Sequence, residues 1–320
     1  MAEIDPALAG DGWERKVLER VALAAIAEQR AARRWGIFFK LLILGYLMLV
    51  LFVGMGWVKR GVDKSAGKHS ALVELRGVIA ADTQASAENV MTGLQAAFKD
   101  SNTQGVILRI NSPGGSPVQA GYINDEIKRL RKLHPGIPLY VVVEDICASG
   151  GYYIAAAADK IFVDKASILG SIGVVMDGFG FTGTMDKLGV ERRAITAGEN
   201  KKFLDPFSPV NPAHKAYAEK MLGEIHQQFV AVVREGRGKR LNETPEIYSG
   251  LVWVGPKSIE LGLADALGSV ESVARDVVKA EDVVDFTTRE NLAERVARRF
   301  GAAMAEAMVK TTTTGGAQFR

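Results

Sequence analysis

Between residues 71 and 164 strand-like and helix-like patterns take turns, and this alternation constrains the fold more than any other feature of the chain. "ALVELRGVIA" alternates as a strand does. "SAENVMTGLQAAFKD" has the apolar spacing of an amphipathic helix, with Ser86 placed to cap its start. "GVILRINSP" reads as strand and "SPVQAGYINDEIKRLRKL" as helix. "IPLYVVVEDI" reads as a buried strand from its β-branched content, and "KIFVD" as a short one. Strands separated by helices pair in parallel through right-handed crossovers, so an α/β fold is expected. Beyond "ILGSIGVVM", residues 211–238 read as one long helix, and "VWVGPKSIELGLADALGS" as a helix and a turn.

Residues 35–58, "WGIFFKLLILGYLMLVLFVGMGWV", do not belong to such a domain. They hold one charge, Lys40, and their length matches the roughly 20 apolar residues that cross a bilayer as a helix. Trp35 and Trp57 sit near the ends, where interfacial aromatics belong, and Lys40 is close enough to one end to snorkel. A buried core helix would show a polar face, and this segment has none. A cleaved signal peptide would be shorter and start nearer Met1. One retained transmembrane anchor is expected. Its flanks are balanced, with Arg30, Arg33 and Arg34 before it and Lys59, Arg60, Lys64 and Lys68 after it, so charge leaves its orientation open.

The expected organisation is then an N-terminal juxtamembrane segment (1–34), the anchor (35–58), a polar linker (59–70), a catalytic domain (71–285) and a C-terminal segment (286–320) ending in a disordered tail. Val17, Val21, Leu23 and Ile26 give the first segment a rough helical stripe. The net charge is only +3, with no basic block to follow nucleic-acid phosphates, so nucleic acid is not an expected partner. The single cysteine, Cys147, cannot form an intramolecular disulfide, and four scattered histidines without a cysteine pair do not suggest a metal. No cofactor is expected.

Three stretches can carry chemistry. Ser149, in "DICASGGYYIAAAADK", stands where a buried strand meets a helix. The free N–H groups of a helix start can hold an oxyanion, and Gly150 and Gly151 let a substrate approach. A serine at that place is also an ordinary helix cap, and on this stretch alone the cap is the commoner outcome. The site lacks the G-x-S-x-G elbow, since Cys147 stands two residues before the serine. "INSPGGSP", residues 110–117, can present glycine N–H groups at the carboxyl end of a sheet, or can be a tight turn and nothing more. "TAGENKKFLDPFSP", residues 196–209, holds Lys201 and Lys202 in a loop. A lysine serves as general base only when neutral, and bringing a reference pKa of about 10.4 to about 7 takes roughly 4–5 kcal/mol of bias against the charge. Both lysines being solvated charges is the usual case. The histidines compete for the role, with His69 in the linker, His134 in a turn, and His214 and His226 on the long helix.

In order, "NSPGGS", "CASGGYYIAAAADKIF", "GSIGV", "AGENKKFLDPF" and "WVGPKSIELGLADALG" resemble the signal peptide peptidase A family of serine proteases (S49), in its short single-domain bacterial form. The resemblance covers residues 71–284. It implies a ClpP/crotonase-like spiral of ββα units and a Ser–Lys dyad, with Ser149 as nucleophile and Lys201, the lysine of "GENK", as base. Lys202 is the competitor in the doublet. It implies that Ser171 of "GSIGV" orients the lysine amine and that the N–H groups of Gly150 and Gly114 form the oxyanion hole. Where relatives often carry an arginine, this chain has Leu251. The resemblance further implies a ring-shaped homo-oligomer with sites shared between subunits. Substrates would be apolar peptides such as signal-peptide remnants, and the enzyme would sit in the inner membrane facing the periplasm. The alternatives are a relative that trims specific membrane proteins, a catalytically dead peptide-binding scaffold, and a crotonase-like acyl-CoA enzyme, which the anchor disfavours.

Overall fold

A computed structural model describes residues 13–54 and 67–289, with side chains from Leu18 to Leu49 in the first of these segments. The two segments belong to separate compact units. In the first, α1 (Trp13–Gly54) is one continuous helix of 42 residues. It joins the expected juxtamembrane helix to the apolar run without a break. Among the described residues no helix is long and apolar enough to cross a membrane. The side chains of residues 50–58, the last part of the expected anchor, lie outside the described range, as do the linker up to residue 66 and the C-terminal segment from residue 290.

The second unit is an α/β domain. Its sheet follows the order β6-β5-β3-β2-β1-β8, with β4 paired to β3 and β7 to β4. The strands are β1 (His69–Arg76), β2 (Thr103–Ser112), β3 (Leu139–Ala148), β4 (Lys160–Val163), β5 (Ile168–Gly170), β6 (Val252–Val254), β7 (Ala266–Leu267) and β8 (Val283–Asp285). All pair in parallel except β5 and β6, which are antiparallel. Helices α2 (Ala87–Lys99) and α3 (Pro117–Leu133) form because their sequences repeat apolar residues on one face and start on good caps. Ser86 accepts the Asn89 N–H and Ser116 accepts the Gln119 N–H. Their buried faces, including Leu94, Phe98, Ile123 and Ile127, pack with Val73, Leu108 and Val141 of the strands. Each such side chain contributes about 1.5–3 kcal/mol when fully buried. The alternate strand residues Leu72, Ile107, Val142 and Phe162 point to the other face, under Val270, Val273 and Ala274. These three belong to α8 (Val270–Ser272) and the π-helical turn after it (Val273–Val278).

β3 is where the sheet divides. Its first half pairs with β4 through Tyr140, Val141 and Val142, and its last three residues pair with β5 instead. Between the register pairs Ile110↔Val143 and Ser112↔Cys147, β3 advances four residues while β2 advances two. Such a bulge bends a strand and increases its local twist. The end of β3 thereby leaves β4 and turns toward β5, opening space at its tip.

Three sequence expectations change here. His69 is not in a linker: it opens β1 and is buried, stacked on Phe286 with ring centroids 5.9 Å apart. The chain enters the sheet two residues before Ala71, because β1 already pairs with β2 at His69↔Thr103. β5 is only three residues long and stops where Ser171 takes a positive φ. The segment expected as helix and turn at residues 252–269 contains two short strands, β6 and β7, on either side of α7 (Gly255–Glu260).

Candidate active site

Ser149 joins β3 to α4 (Gly150–Ala155) with φ 51° and ψ −122°. This is a positive-φ conformation that a non-glycine residue adopts only under strain, at a cost of about 1–3 kcal/mol. The local contacts hold it. The Ser149 N–H donates to the Gly170 carbonyl at 2.9 Å, and the Ser149 carbonyl accepts the Tyr153 N–H at 2.9 Å. Its side chain makes no capping hydrogen bond. A capping serine satisfies a helix N–H with its hydroxyl; this one does not, and its hydroxyl is left for other work. The geometry is that of a strained strand-to-helix turn, which lifts a side chain to the top of a sheet.

Behind Ser149 the chain is buried. Cys147 is buried, and burial pushes its thiol far above the usual range, so it is no competing nucleophile. Tyr152 of α4 is fully buried and its hydroxyl donates to the Leu263 carbonyl at 2.9 Å.

The "SPGGS" turn lies directly against the serine. A Cβ placed on Gly114 would stand 2.7 Å from the Ser149 Cβ and 2.8 Å from the Gly150 nitrogen, so only glycine fits there. Ser112 sets the turn, its hydroxyl donating to the Gly77 carbonyl at 2.6 Å and accepting the Gly114 N–H at 3.1 Å. The bridge between Ile79 and Gly115 fixes the next residue through Ile79 N–H to Gly114 O and Ser116 N–H to Ile79 O, each 2.8 Å. Neither bond uses the Gly115 N–H. The expected donor, Gly114, is thus already engaged with Ser112, while Gly115 and Gly150 line the cleft. Ser112 and Ile79 had no motif to announce them, since their roles depend on a contact between β2 and the end of β1.

The cleft has a volume of about 370 Å³. Ser149, Ser171, Gly115 and Gly150 lie in its wall with Tyr153 and Phe229, the last from α6 (Pro212–Arg237). Its lining mixes polar groups, from Ser149, Ser171, Ser249 and Gln228, with apolar ones such as Ile225 and Phe229. Ser171 has φ 52°, and its N–H donates to the Leu251 carbonyl at 2.7 Å. Leu251 thus serves this turn through its backbone. A second cleft, of about 360 Å³, lies beside Arg109, Glu144 and Ser269. The Ser269 hydroxyl there accepts the Ser272 N–H in a capping box, an ordinary structural role.

Lys201 and Lys202 are not among the residues that line the Ser149 cleft. Lys201 is exposed, on a segment between β5 and α6 that includes α5 (Thr182–Leu188). The segment is held by its own contacts and by α6, where His214 reaches Asn200 at 3.2 Å and the His214 and Tyr217 rings meet Phe203. Phe181 stacks on Phe207 at 5.4 Å, the Arg192 guanidinium lies 5.2 Å from the Phe207 ring centre, and Arg192 pairs with Asp205 at 3.4 Å. Val175, Phe179, Ile195 and Val210 on it are exposed, an unusual concentration of uncovered apolar surface. The chain therefore brings together Ser149, Ser171, Gly114, Gly115 and Gly150, and carries Lys201 exposed, outside the lining of that cleft.

A strained, uncapped serine beside glycine N–H groups, at the end of a largely parallel sheet, is an arrangement suited to nucleophilic acyl chemistry. The sequence profile of Peptidase family S49 matches residues 131–284. A putative signal peptide peptidase SppA of Enterococcus faecium is 30% identical over 251 residues, 75% of this chain and 72% of that protein. A putative protease of Methanocaldococcus jannaschii is 35% identical over 198 residues, 60% of this chain and 63% of that one. The chain belongs to peptidase family S49, the signal peptide peptidase A family of serine peptidases. It is also similar to Na(+)/H(+) antiporters NhaA of Brucella abortus and Brucella melitensis, at 45% identity over 182 residues. That match spans 57% of this chain but only a quarter of the Brucella proteins' length.

Proposed function

We propose that this protein is a membrane-anchored serine endopeptidase that degrades apolar peptides, such as cleaved signal-peptide remnants, with Ser149 as nucleophile and Lys201 as general base. The observation that carries the proposal is the Ser149 hydroxyl, free of any capping bond on a strained turn in the wall of a cleft lined by both polar and apolar groups. In the reaction, the neutral Lys201 amine takes the Ser149 hydroxyl proton while Oγ bonds to the peptide carbonyl carbon. The carbonyl electron pair moves to oxygen, where the N–H groups of Gly150 and Gly115 stabilise it; Gly115 takes the role expected of Gly114, whose N–H is engaged. Collapse of this intermediate breaks the C–N bond, and the lysine returns the proton to the leaving amine. Water, deprotonated by the same lysine, then releases the acyl group.

The exposed position of Lys201 supports a ring in which the base loop of one subunit completes the cleft of its neighbour, and in which the neighbour covers the apolar residues of that loop. The fold in this reading is the ClpP/crotonase-like spiral. The apolar residues 35–58 would anchor the ring where hydrophobic peptides accumulate, with the catalytic domain in the periplasm. The test mixes two inactive variants, Ser149→Ala and Lys201→Ala, under conditions of subunit exchange. Each alone should lack hydrolysis of a hydrophobic reporter peptide, and the mixture should recover part of it. Turnover by Ser149→Ala alone removes the nucleophile assignment, and absence of recovery in demonstrated mixed rings removes the shared site.

A further inference from the structure

The turn that carries Ser171 is held from three sides. Gly170 gives its carbonyl to the Ser149 N–H, and Leu251 gives its carbonyl to the Ser171 N–H. The third contact comes from α6, where the His226 Nε2 lies 3.2 Å from the Ile172 carbonyl, across 54 residues of sequence. A carbonyl only accepts, so Nε2 carries a proton and donates in this pair. His226 is half-buried on the stretch of α6 that walls the cleft, where Ile225, Gln228 and Phe229 are its neighbours. The residue it grips is buried, and it immediately follows a serine held at φ 52°. A strained turn persists only where its surroundings over-determine it.

We infer that His226 is a positioning residue for the peptidase reaction, which fixes the Ser171 turn through the Ile172 carbonyl and so holds the Ser171 hydroxyl in its place in the wall of the Ser149 cleft. The inference rests on the proposed function of the same cleft. It assigns His226 no contact with substrate and no proton transfer. Its bond ties the helix that walls the cleft to the turn that, by the proposal, orients the lysine amine. Without it, Ile172 loses its side anchor, and the hydroxyl one residue away gains freedom at the point where its direction matters.

The experiment is a double-mutant cycle on the full-length protein with a hydrophobic reporter peptide, using His226→Phe, Ser171→Ala and the pair. Neighbouring groups that act through one another give non-additive effects. His226→Phe should lower kcat about tenfold, as loss of one positioning hydrogen bond does, with little change in KM. His226→Gln, which keeps an N–H donor, should recover most of the loss. In the Ser171→Ala background, His226→Phe should add less than about a twofold loss. If His226→Phe does not fold, His226→Ala replaces it in the cycle. Wild-type kcat in the histidine variant overturns the inference. So does an undiminished loss in the Ser171→Ala background, or a glutamine variant no better than phenylalanine. Ser149→Ala, run alongside, separates the two levels: if it is inactive while His226→Phe is normal, only the inference fails, and if it is active the proposed function fails.

Discussion

Gly114→Ala puts the geometry of the site to a direct test. The new methyl would meet the Ser149 Cβ at 2.7 Å, the Gly150 nitrogen at 2.8 Å and the Ala148 carbonyl oxygen at 2.9 Å, whereas ordinary contact starts at 3.4 Å. Neighbours would therefore have to give by about 0.7 Å. None of these atoms is the far end of a flexible side chain, so the strain falls on Ser149 and α4. Gly114 also sits at φ 103°, outside the comfortable range of an L residue, which adds about 1–3 kcal/mol. For a domain of this size that corresponds to a Tm lower by about 2–12 °C. The catalytic loss should be larger, since a displacement approaching 1 Å in a reacting group can cost about 100-fold in rate. The assay pairs reporter-peptide kcat and the rate of Ser149 labelling by a fluorophosphonate with a thermal melt of the same sample. Gly121→Ala is the control, because a Cβ there meets nothing within 4 Å and Gly121 lies inside α3. It should leave activity unchanged and stabilise the domain by about 0.5–1 kcal/mol. Wild-type turnover and labelling by Gly114→Ala would refute the claim that this glycine is needed for the close approach of the two turns.

Other outcomes follow from the same structure. Lys201→Ala should abolish hydrolysis while Lys202→Ala leaves most of it, read by steady-state kinetics; the reverse pattern would move the base by one residue. Asp265→Asn should lower the Tm by about 6–20 °C, because Arg237 is fully buried and would lose its charged partner, a loss of about 3–5 kcal/mol. Desolvation opposes ionisation of Asp265, but Arg237, the Ile161 N–H and Arg240 outweigh it and hold the carboxyl below its ordinary value. Its contribution is therefore complete above the unfolded carboxylate pKa of about 3.9 and is lost as pH falls through the lower folded value. Acid titrations of stability should be shallower in Asp265→Asn than in the parent over that window. Gly115→Ala should be at least as damaging as Gly114→Ala, since its Cβ would stand 2.2 Å from the Ile79 carbonyl oxygen, and a folded, fully active variant would refute the bridge to Ile79.

Much of the fold was legible in local pattern. The helices behind Ser86 and Ser116 and the strands β1 to β4 were visible because amphipathic spacing and capping act over a few residues. β6, β7 and β8 were not, because two- or three-residue strands owe their pairing to neighbours distant in sequence. His69 looked like linker because its polar flank hides the fact that Thr103 and Phe286 close over it. At the site, the motif register pointed to Ser149, Ser171, Gly150 and Gly114, of which the first three line one cleft and Gly114 packs against Ser149. It was not enough to say which glycine N–H is free, since that depends on the Ser112 hydroxyl, or that His226 reaches the Ser171 turn from α6.

By itself the sequence determined the alternating elements, the apolar run at residues 35–58 and the residue types available for chemistry, because each is written in spacing and side-chain character over short range. Only the tertiary structure decided that β3 bends away from β4, that Ser149 is strained rather than capping, and that Lys201 faces outward on the same chain. Those outcomes come from contacts across tens of residues, where backbone hydrogen bonds and close packing compete, and no local pattern encodes which partner wins.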